Sequence, residues 1–394
     1  MKILVIAMSN SIHTARWLSQ IVDQGWDIHL FPSYDVGSVR PELTNVTVYH
    51  SFIGRLTHAH PSVKQKGIYV WSEFVALFFR EITRRIYPHY RVIKLARLIK
   101  KLKPDIVHTL EMQGAGYLTM EAKKLLKGNL PPWIVTTWGS DIYYFGQFKD
   151  HAKKIRSLLK QCDYYHCECE RDIKLAHKFG LKGISLPVLP DSGGFYLDKL
   201  AKVQQNIKPS NRKYIIVKGY HGWAGRALVA LKALELCVEE LRNFHIFIYS
   251  SDIVVRIAAN KFKSQYKIPI TIIPAGTEHD KMLKFFGQSR IAIGLSISDG
   301  ISTMVLEAMA MGTFPIQSNT SCANEWIKDG QTGILVPPED IKKISKAIKH
   351  ALSDDPLVDN AAILNAKVVK SRLDQNKLSK EVVAIYDKIY KESK

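Results

Sequence analysis

The sequence predicts an α/β protein of two doubly wound domains, and three observations carry that expectation. From Lys2 to Leu30 the chain reads strand, loop, helix, strand, the opening of a doubly wound unit. A second alternation of apolar strands and amphipathic helices starts at Tyr214. At 394 residues the chain is also longer than one ordinary core supports, so two domains of roughly 200 residues are the natural size.

Lys2–Met8 reads as a buried first strand, followed by Ser9, Asn10 and Ser11, a helix through about Asp23 and a second strand over Trp26–Leu30. The Ser9–His13 turn lacks the glycine fingerprint of dinucleotide folds. His13 is either a ligand or a helix-start residue bonded to backbone. Ile68–Lys103 is mostly helical with a break at Pro88. Strands are predicted at Asp105–His108, Trp133–Thr137, Tyr164–Cys167 and Ile184–Leu186. Gln113–Gly116 reads as a turn opening a helix, and further helices are predicted over Asp150–Lys160 and Arg171–Phe179. The polar, lysine-rich stretch Leu200–Arg212 reads as a linker. The second alternation then runs through strands at Tyr214–Val217, Phe244–Tyr249, Ile270–Ile273, Ile291–Leu295, Phe314–Gln317 and Ile334–Val336. Its helices are predicted from about Gly225 to Leu241 and over Ile253–Lys263, and Ile341–Ala351 and Leu378–Tyr390 close the chain. The expected divisions are 1–200, 213–372 and a final helix in 373–394.

Composition narrows the function. A hydrophobic content of 46% with 10% aromatic residues suits a fully folded globular protein, and no run of about 18 apolar residues offers a membrane span. Ile3–Met8 is too short for the core of a signal peptide. Five cysteines (Cys162, Cys167, Cys169, Cys237 and Cys322) in a chain of this size point to reduced thiols in a cytoplasmic protein. No paired CxxC suggests zinc, and these cysteines read as small buried hydrophobes. The net charge of +20 fits nucleic acid, anionic lipid or a polyanionic substrate. It is concentrated: Arg55–Lys103 holds 12 Lys or Arg against Glu73 and Glu81 alone. Within it, the aromatic run Tyr69–Phe79 precedes a dense basic stretch. Either this segment lies on an anionic membrane surface, or its aromatic face closes the domain core with the basic residues on its wet side.

The stretch Ser298–Gly312 follows the apolar run Ile291–Leu295 and carries Asp299 in a turn, with Glu307 inside a helix opening at about Ser302. Unpaired N–H groups and the dipole at such a helix start favour phosphate, and Gly300 lets a ligand approach the backbone. Two further segments are expected to converge there. Lys218–Arg226 is a glycine-rich loop, in which Lys218 or Arg226 can meet phosphate and Gly219 exposes main chain. Pro274–Thr277 can pass beside a flat ring. His108, His13 and Asp141 are the first-domain candidates for orienting or deprotonating an acceptor.

The pattern from Asp299–Gly300 through Leu306–Ala310 and Gly312–Ile316, continuing to Asn324–Glu325 and Asp329–Pro338, resembles the E-x7-E signature of the large retaining GT-B glycosyltransferase family. The resemblance implies two Rossmann-like domains facing across a cleft, the first binding the acceptor and the second a nucleotide sugar. It implies a nucleoside-diphosphate sugar as donor substrate, with no cofactor and no bound metal, and a lipid-linked or polysaccharide acceptor. Asp299 is similar to the residue that contacts donor-sugar hydroxyls, and Glu307 to the carboxylate on the ribose. Main chain at Gly300, Ile301, Ser302 and Thr303 would hold the distal phosphate. The sequence departs from the family at Tyr220, where an arginine is expected. Arg226 then stands as the main source of positive charge, with Lys218 second. It departs again at Trp138, with Gly139, Ser140 and Asp141, where the family has a sugar-contacting histidine. Other readings are a sugar-nucleotide epimerase of the same architecture and a non-catalytic partner of a transferase. A nucleic-acid-binding module is disfavoured, because no recognisable motif accompanies the charge.

Overall fold

The computed structural model describes residues 1–34, 38–54, 58–204 and 206–394, so Arg55, where the basic stretch opens, and Gln205, in the expected linker, lie outside it. The chain divides into two compact units, one of residues 1–193 with 376–394 and the other of residues 194–375.

The first unit runs β1 (Lys2–Ala7), α1 (Ile12–Ser19), β2 (Asp27–Pro32), β3 (Thr47–Gly54), β4 (Lys64–Tyr69), α2 (Glu73–Ile86), α3 (Tyr90–Leu102), β5 (Ile106–Leu110), α4 (Tyr117–Leu125), β6 (Trp133–Thr137), α5 (Lys149–Leu159), β7 (Tyr164–Cys167), α6 (Glu170–Lys178) and β8 (Ile184–Ser185). Its strands pair in parallel in the order β4-β3-β2-β1-β5-β6-β7-β8. Alternation along β1 divides the core between the two faces of this sheet. Ile3, Val5 and Ala7 pack with α1 residues such as Trp17 and Leu18, whereas Leu4 and Ile6 pack with Leu95 and Ile99 of α3 and Leu158 of α5. α1 ends at Ser19, short of the expected Asp23, because the N–H groups of Gln20, Ile21 and Val22 turn back on the carbonyls of Trp17 and Leu18.

The polar strand β4 was not foreseen: KQKGIY has little apolar alternation. It forms an edge of the sheet, and Lys64 and Lys66 are exposed there, a common guard against edge-to-edge pairing. The aromatic face of α2 does not close the core. Only Ala76 of this helix is buried, while Phe74 is 85% exposed and the preceding Trp71 89% exposed.

The second unit runs α7 (Leu197–Val203), β9 (Tyr214–Lys218), a short hairpin of β10 (His221–Gly222) and β11 (Gly225–Arg226), α8 (Ala227–Glu235), β12 (His245–Tyr249), α9 (Ile253–Tyr266), β13 (Ile270–Ile272), α10 (His279–Gln288), β14 (Ser289–Gly294), α11 (Thr303–Ala310), β15 (Phe314–Ser318), β16 (Ile334–Val336), α12 (Ile341–Ser353) and α13 (Asp355–Arg372). Its parallel sheet has the order β13-β12-β9-β14-β15-β16. Counted within the sheet this is third, second, first, fourth, fifth, sixth, the order of dinucleotide-binding folds. Ile215, Ile246 and Ile291 meet side by side across three neighbouring strands and anchor the core against α8, α9 and α12.

The stretch expected as a linker begins inside α7, whose Leu200 is buried, and the Gln204 amide donates to the Ala310 carbonyl. The expected boundary near residue 200 therefore moves to residue 194. Two helices of this unit, α10 and α13, were also not foreseen. The last helix, α14 (Gln375–Glu392), belongs to the first unit, where Leu378, Val382, Tyr386 and Ile389 lie in the core cluster that contains Trp17. All five cysteines are buried free thiols, as expected of small hydrophobes. Among the described residues no helix is long and apolar enough to cross a membrane.

Candidate functional site

In open parallel sheets the strand order reverses at one point, and loops at the carboxyl ends of the two flanking strands leave a crevice there. In the second unit that point lies between β9 and β14. The loop after β9 is Gly219–Arg226, and the loop after β14 is Leu295–Ser302. Backbone bonds tie the two together: the Arg226 N–H donates to the Leu295 carbonyl at 2.9 Å and the Ile297 N–H to that of Trp223 at 3.0 Å. The hairpin needs glycine, since a Cβ at Gly225 would collide with the main chain of Tyr220, and one at Gly219 with Tyr249 and Ser251.

Four groups that the sequence singled out meet at this point. Lys218 Nζ lies 3.3 Å from Asp299 Oδ2 and over the Tyr220 ring, and Asp299 Oδ1 accepts from the Gly300 N–H. α11 opens after Ser302, whose side chain makes no capping bond and whose Oγ is buried without a partner. Ile301 is also buried, and Thr303 begins the helix. An uncapped start leaves N–H groups for an anion. One turn further in, Glu307 Oε1 accepts from His279 Nε2 at 2.9 Å. Burial and the charges of Glu307, Tyr220 and Asp299 push the Tyr249 hydroxyl well above its ordinary range, so these groups share one electrostatic neighbourhood.

Arg226 is arranged otherwise. Its guanidinium pairs with Glu339 at 3.0 Å and donates to the Gly222 carbonyl, and the cation facing Asp299 is Lys218. Of the two cations singled out in the sequence, Lys218 thus pairs with a carboxylate of the α11 turn and Arg226 with one beyond β16. His279 was missed. It opens a helix that the sequence did not reveal, and its only signal was its place just after the Pro274–Thr277 turn.

In the first unit the reversal falls between β1 and β5. The loop after β5 begins at Glu111, a non-glycine residue at φ 81° whose carboxylate accepts from the Gly114 and Ala115 N–H groups. Asp141, in the loop after β6, accepts from the Met112 and Trp138 N–H groups, each at 2.9 Å. Both carboxyls are buried, and burial pushes both up, Asp141 further because Glu111 adds its charge. Tyr34 is pushed up to about 12 by burial and by the same two carboxyls. Asp141, expected to handle an acceptor, is thus engaged in tying two loops together. His108 is 0% exposed, with Tyr386 Oη at 2.6 Å from Nδ1 and Thr136 Oγ1 at 2.7 Å from Nε2. Burial pulls it well below its ordinary range, so it stays neutral and pins α14 to the sheet rather than serving as a base. His13 is half-buried, 5.4 Å from the Trp138 ring.

Two α/β units, each built on a parallel sheet of this kind, define the GT-B architecture. Residues 198–368 match the model of the glycosyl transferases group 1, and residues 80–167 match that of glycosyl transferase 4-like proteins. The group 1 match falls in the second unit and the 4-like match in the first, so each unit is similar to a glycosyl transferase domain. Among curated proteins, the capsular polysaccharide biosynthesis glycosyltransferase CapM of Staphylococcus aureus is 22% identical over 111 residues. That match spans 28% of this chain and 29% of the relative's length. Sucrose-phosphate synthase from Thermosynechococcus elongatus superposes with a TM-score of 0.71 at 14% identity, over 100% of both chains. The UDP-forming α,α-trehalose-phosphate synthase of Burkholderia xenovorans, solved with glucose-6-phosphate, gives 0.69 at 12% identity, over 99% of this chain and 100% of that one. Anabaena HepE, solved with UDP and glucose, gives 0.67 at 11% identity, over 98% and 99%.

Proposed function

We propose that the chain is a retaining, metal-independent glycosyltransferase that moves a sugar from a nucleoside-diphosphate sugar to a lipid-linked or polysaccharide acceptor. It would act in cell-surface glycan synthesis, as a cytoplasmic protein peripheral to the inner face of the plasma membrane. The observation that carries this reading is the meeting of Lys218, Asp299, the uncapped start of α11 and Glu307 at the strand reversal of the second unit. The capsular-polysaccharide role of the CapM relative supports the acceptor class, and UDP in the HepE structure supports the donor class.

When the bond to the anomeric carbon breaks, negative charge grows on the departing diphosphate. Lys218 and the N–H groups from Gly300 to Thr303 stabilise that charge more than the ground state, which is electrostatic catalysis. Glu307 takes the ribose hydroxyls, with His279 holding one of its oxygens. Asp299, released from Lys218 as the diphosphate enters, turns to the sugar hydroxyls. The first unit holds the acceptor near His13 and Trp138. No nucleic acid and no cofactor takes part.

A thermal-shift panel of nucleoside diphosphates and nucleotide sugars, run with and without a chelator, tests this. A ligand at about a hundredfold its Kd adds roughly 3 kcal/mol, a rise of several degrees. One base should produce it with the chelator present. A flat response across the panel would remove the donor half of the proposal, and a rise abolished by the chelator its metal independence.

A further inference from the structure

We propose that α2 and the loop before it form a docking surface for an anionic lipid bilayer. Phe74, Phe78, Ile82 and Ile86 recur every four residues and so form one ridge along the helix, and Trp71 continues it beyond the amino end. The ridge faces water: Trp71 is 89%, Phe74 85%, Phe78 63% and Ile86 62% exposed. A contiguous apolar ridge of that size marks an interaction surface.

The charge around it selects the occupant. Glu81 is paired with Arg84 and Arg85 at 3.9 and 3.1 Å, which leaves Glu73 as the one other acidic side chain in this strongly basic stretch. Lys94, Arg97, Lys100 and Lys101 line the outer face of α3, while Leu95, Leu98 and Ile99 of that helix fill the core. Arg55–Lys103 as a whole carries 12 basic residues against two acidic ones. A second copy of the chain would bring the same positive surface against this one and be repelled. An anionic bilayer attracts the basic residues while its acyl boundary takes the aromatic ridge, as interfacial helices do. The proposal deepens the peripheral placement put forward above and is independent of the donor chemistry: nucleotide binding can survive while vesicle binding fails, and the reverse.

The test is flotation of the full chain with vesicles of phosphatidylcholine alone or of phosphatidylcholine and phosphatidylglycerol in equal parts. The chain should float with the mixed vesicles and bind the neutral ones at least about tenfold more weakly. F74S/F78S should lose at least about tenfold in affinity for the mixed vesicles, and W71S/I86S should do the same from the other end of the ridge. Both pairs lie at exposed positions, so melting temperature and nucleotide-induced shift should stay at parental values, which separates lost docking from lost folding. No binding to mixed vesicles, equal binding to neutral ones, or full binding by both variants would overturn the proposal. So would a dimer in sedimentation that the same substitutions dissolve, since the ridge would then be a self-association surface.

Discussion

The two strand reversals of this chain occupy equivalent places in their sheets and are furnished in opposite ways. In the second unit, Lys218 pairs with Asp299 and His279 with the buried Glu307, with Asp299 and His279 partly open to solvent, beside a helix start without a cap. In the first unit, Glu111 and Asp141 are buried and each accepts two backbone N–H groups. A shared topology thus supplies a crevice twice, one lined with ion-paired side chains and the other with carboxyls held by backbone N–H groups. Buried carboxyls that hold loops in place shape a binding surface, whereas exchangeable ones can meet a charged ligand.

The largest expected effect would sharpen this contrast. Asp299→Asn should lower turnover by about 10² to 10³ while changing nucleotide affinity less than about tenfold, if the carboxylate acts on the reacting sugar. Parallel steady-state and equilibrium-binding measurements decide it, and equal losses in both would make Asp299 a general binding residue. Glu307→Gln comes next. A charged hydrogen bond to the ribose is worth roughly 1.5 to 3 kcal/mol, so nucleotide affinity should fall between about tenfold and 150-fold. Calorimetric titration with the matching nucleoside diphosphate would show it.

The contrast was only half legible in the sequence. The strand–turn–helix from Ile291 to Ala310 could be read because its apolar run, its Asp299–Gly300 turn and its helix are contiguous. The pairing of His279 with Glu307 could not, because the two lie 28 positions apart and α10 carried no clear start signal. Apolar pattern placed β5 and β6 correctly, yet gave no hint that Glu111 would adopt a positive φ or that Asp141 would face inward. Polarity misled in both directions: lysines hid β4 at the sheet edge and α7 in the supposed linker. The helical spacing of α2 was plain, but periodicity names an apolar face without saying what covers it.

A stability measurement can break the comparison from the first unit's side. Burial raises the Asp141 carboxyl, so the native state keeps a proton that the unfolded chain releases above its ordinary value near 4. Stability contributed by this group is therefore complete below that value and is lost as pH rises toward the raised native one, at most about 1.4 kcal/mol per pH unit. Asparagine offers the same acceptor to Met112 and Trp138 with no proton to lose. Asp141→Asn should melt close to the parent near pH 4 and progressively above it as pH rises, by about 2 to 4 °C per kcal/mol. His108 and His166, the latter pulled to about 3 by burial, work in the opposite sense, losing stability as pH falls below about 6.5. Subtracting the parent's curve removes their contribution. A variant that melts lower at neutral pH would show the Asp141 carboxyl to be ionised and needed as such, an exchangeable charge like those of the second unit.

The smallest effect concerns His279, and its sign carries the information. The ring is 42% exposed and holds Oε1 of Glu307, whose side chain is 10% exposed. Pairs this accessible are worth up to about 1 kcal/mol, a factor of about five in affinity. If the imidazole fixes the carboxylate so that its other oxygen meets the ribose, His279→Ala should weaken nucleotide binding two- to fivefold, since Glu307 then has to be ordered by the ligand itself (about 0.5–1.5 kcal/mol per side chain). If the imidazole instead occupies the ribose position, the same substitution tightens binding. Competition titrations on Glu307→Gln with and without His279→Ala separate the two: an orienting histidine has little left to orient once the carboxylate is gone, so the second substitution should then add almost nothing.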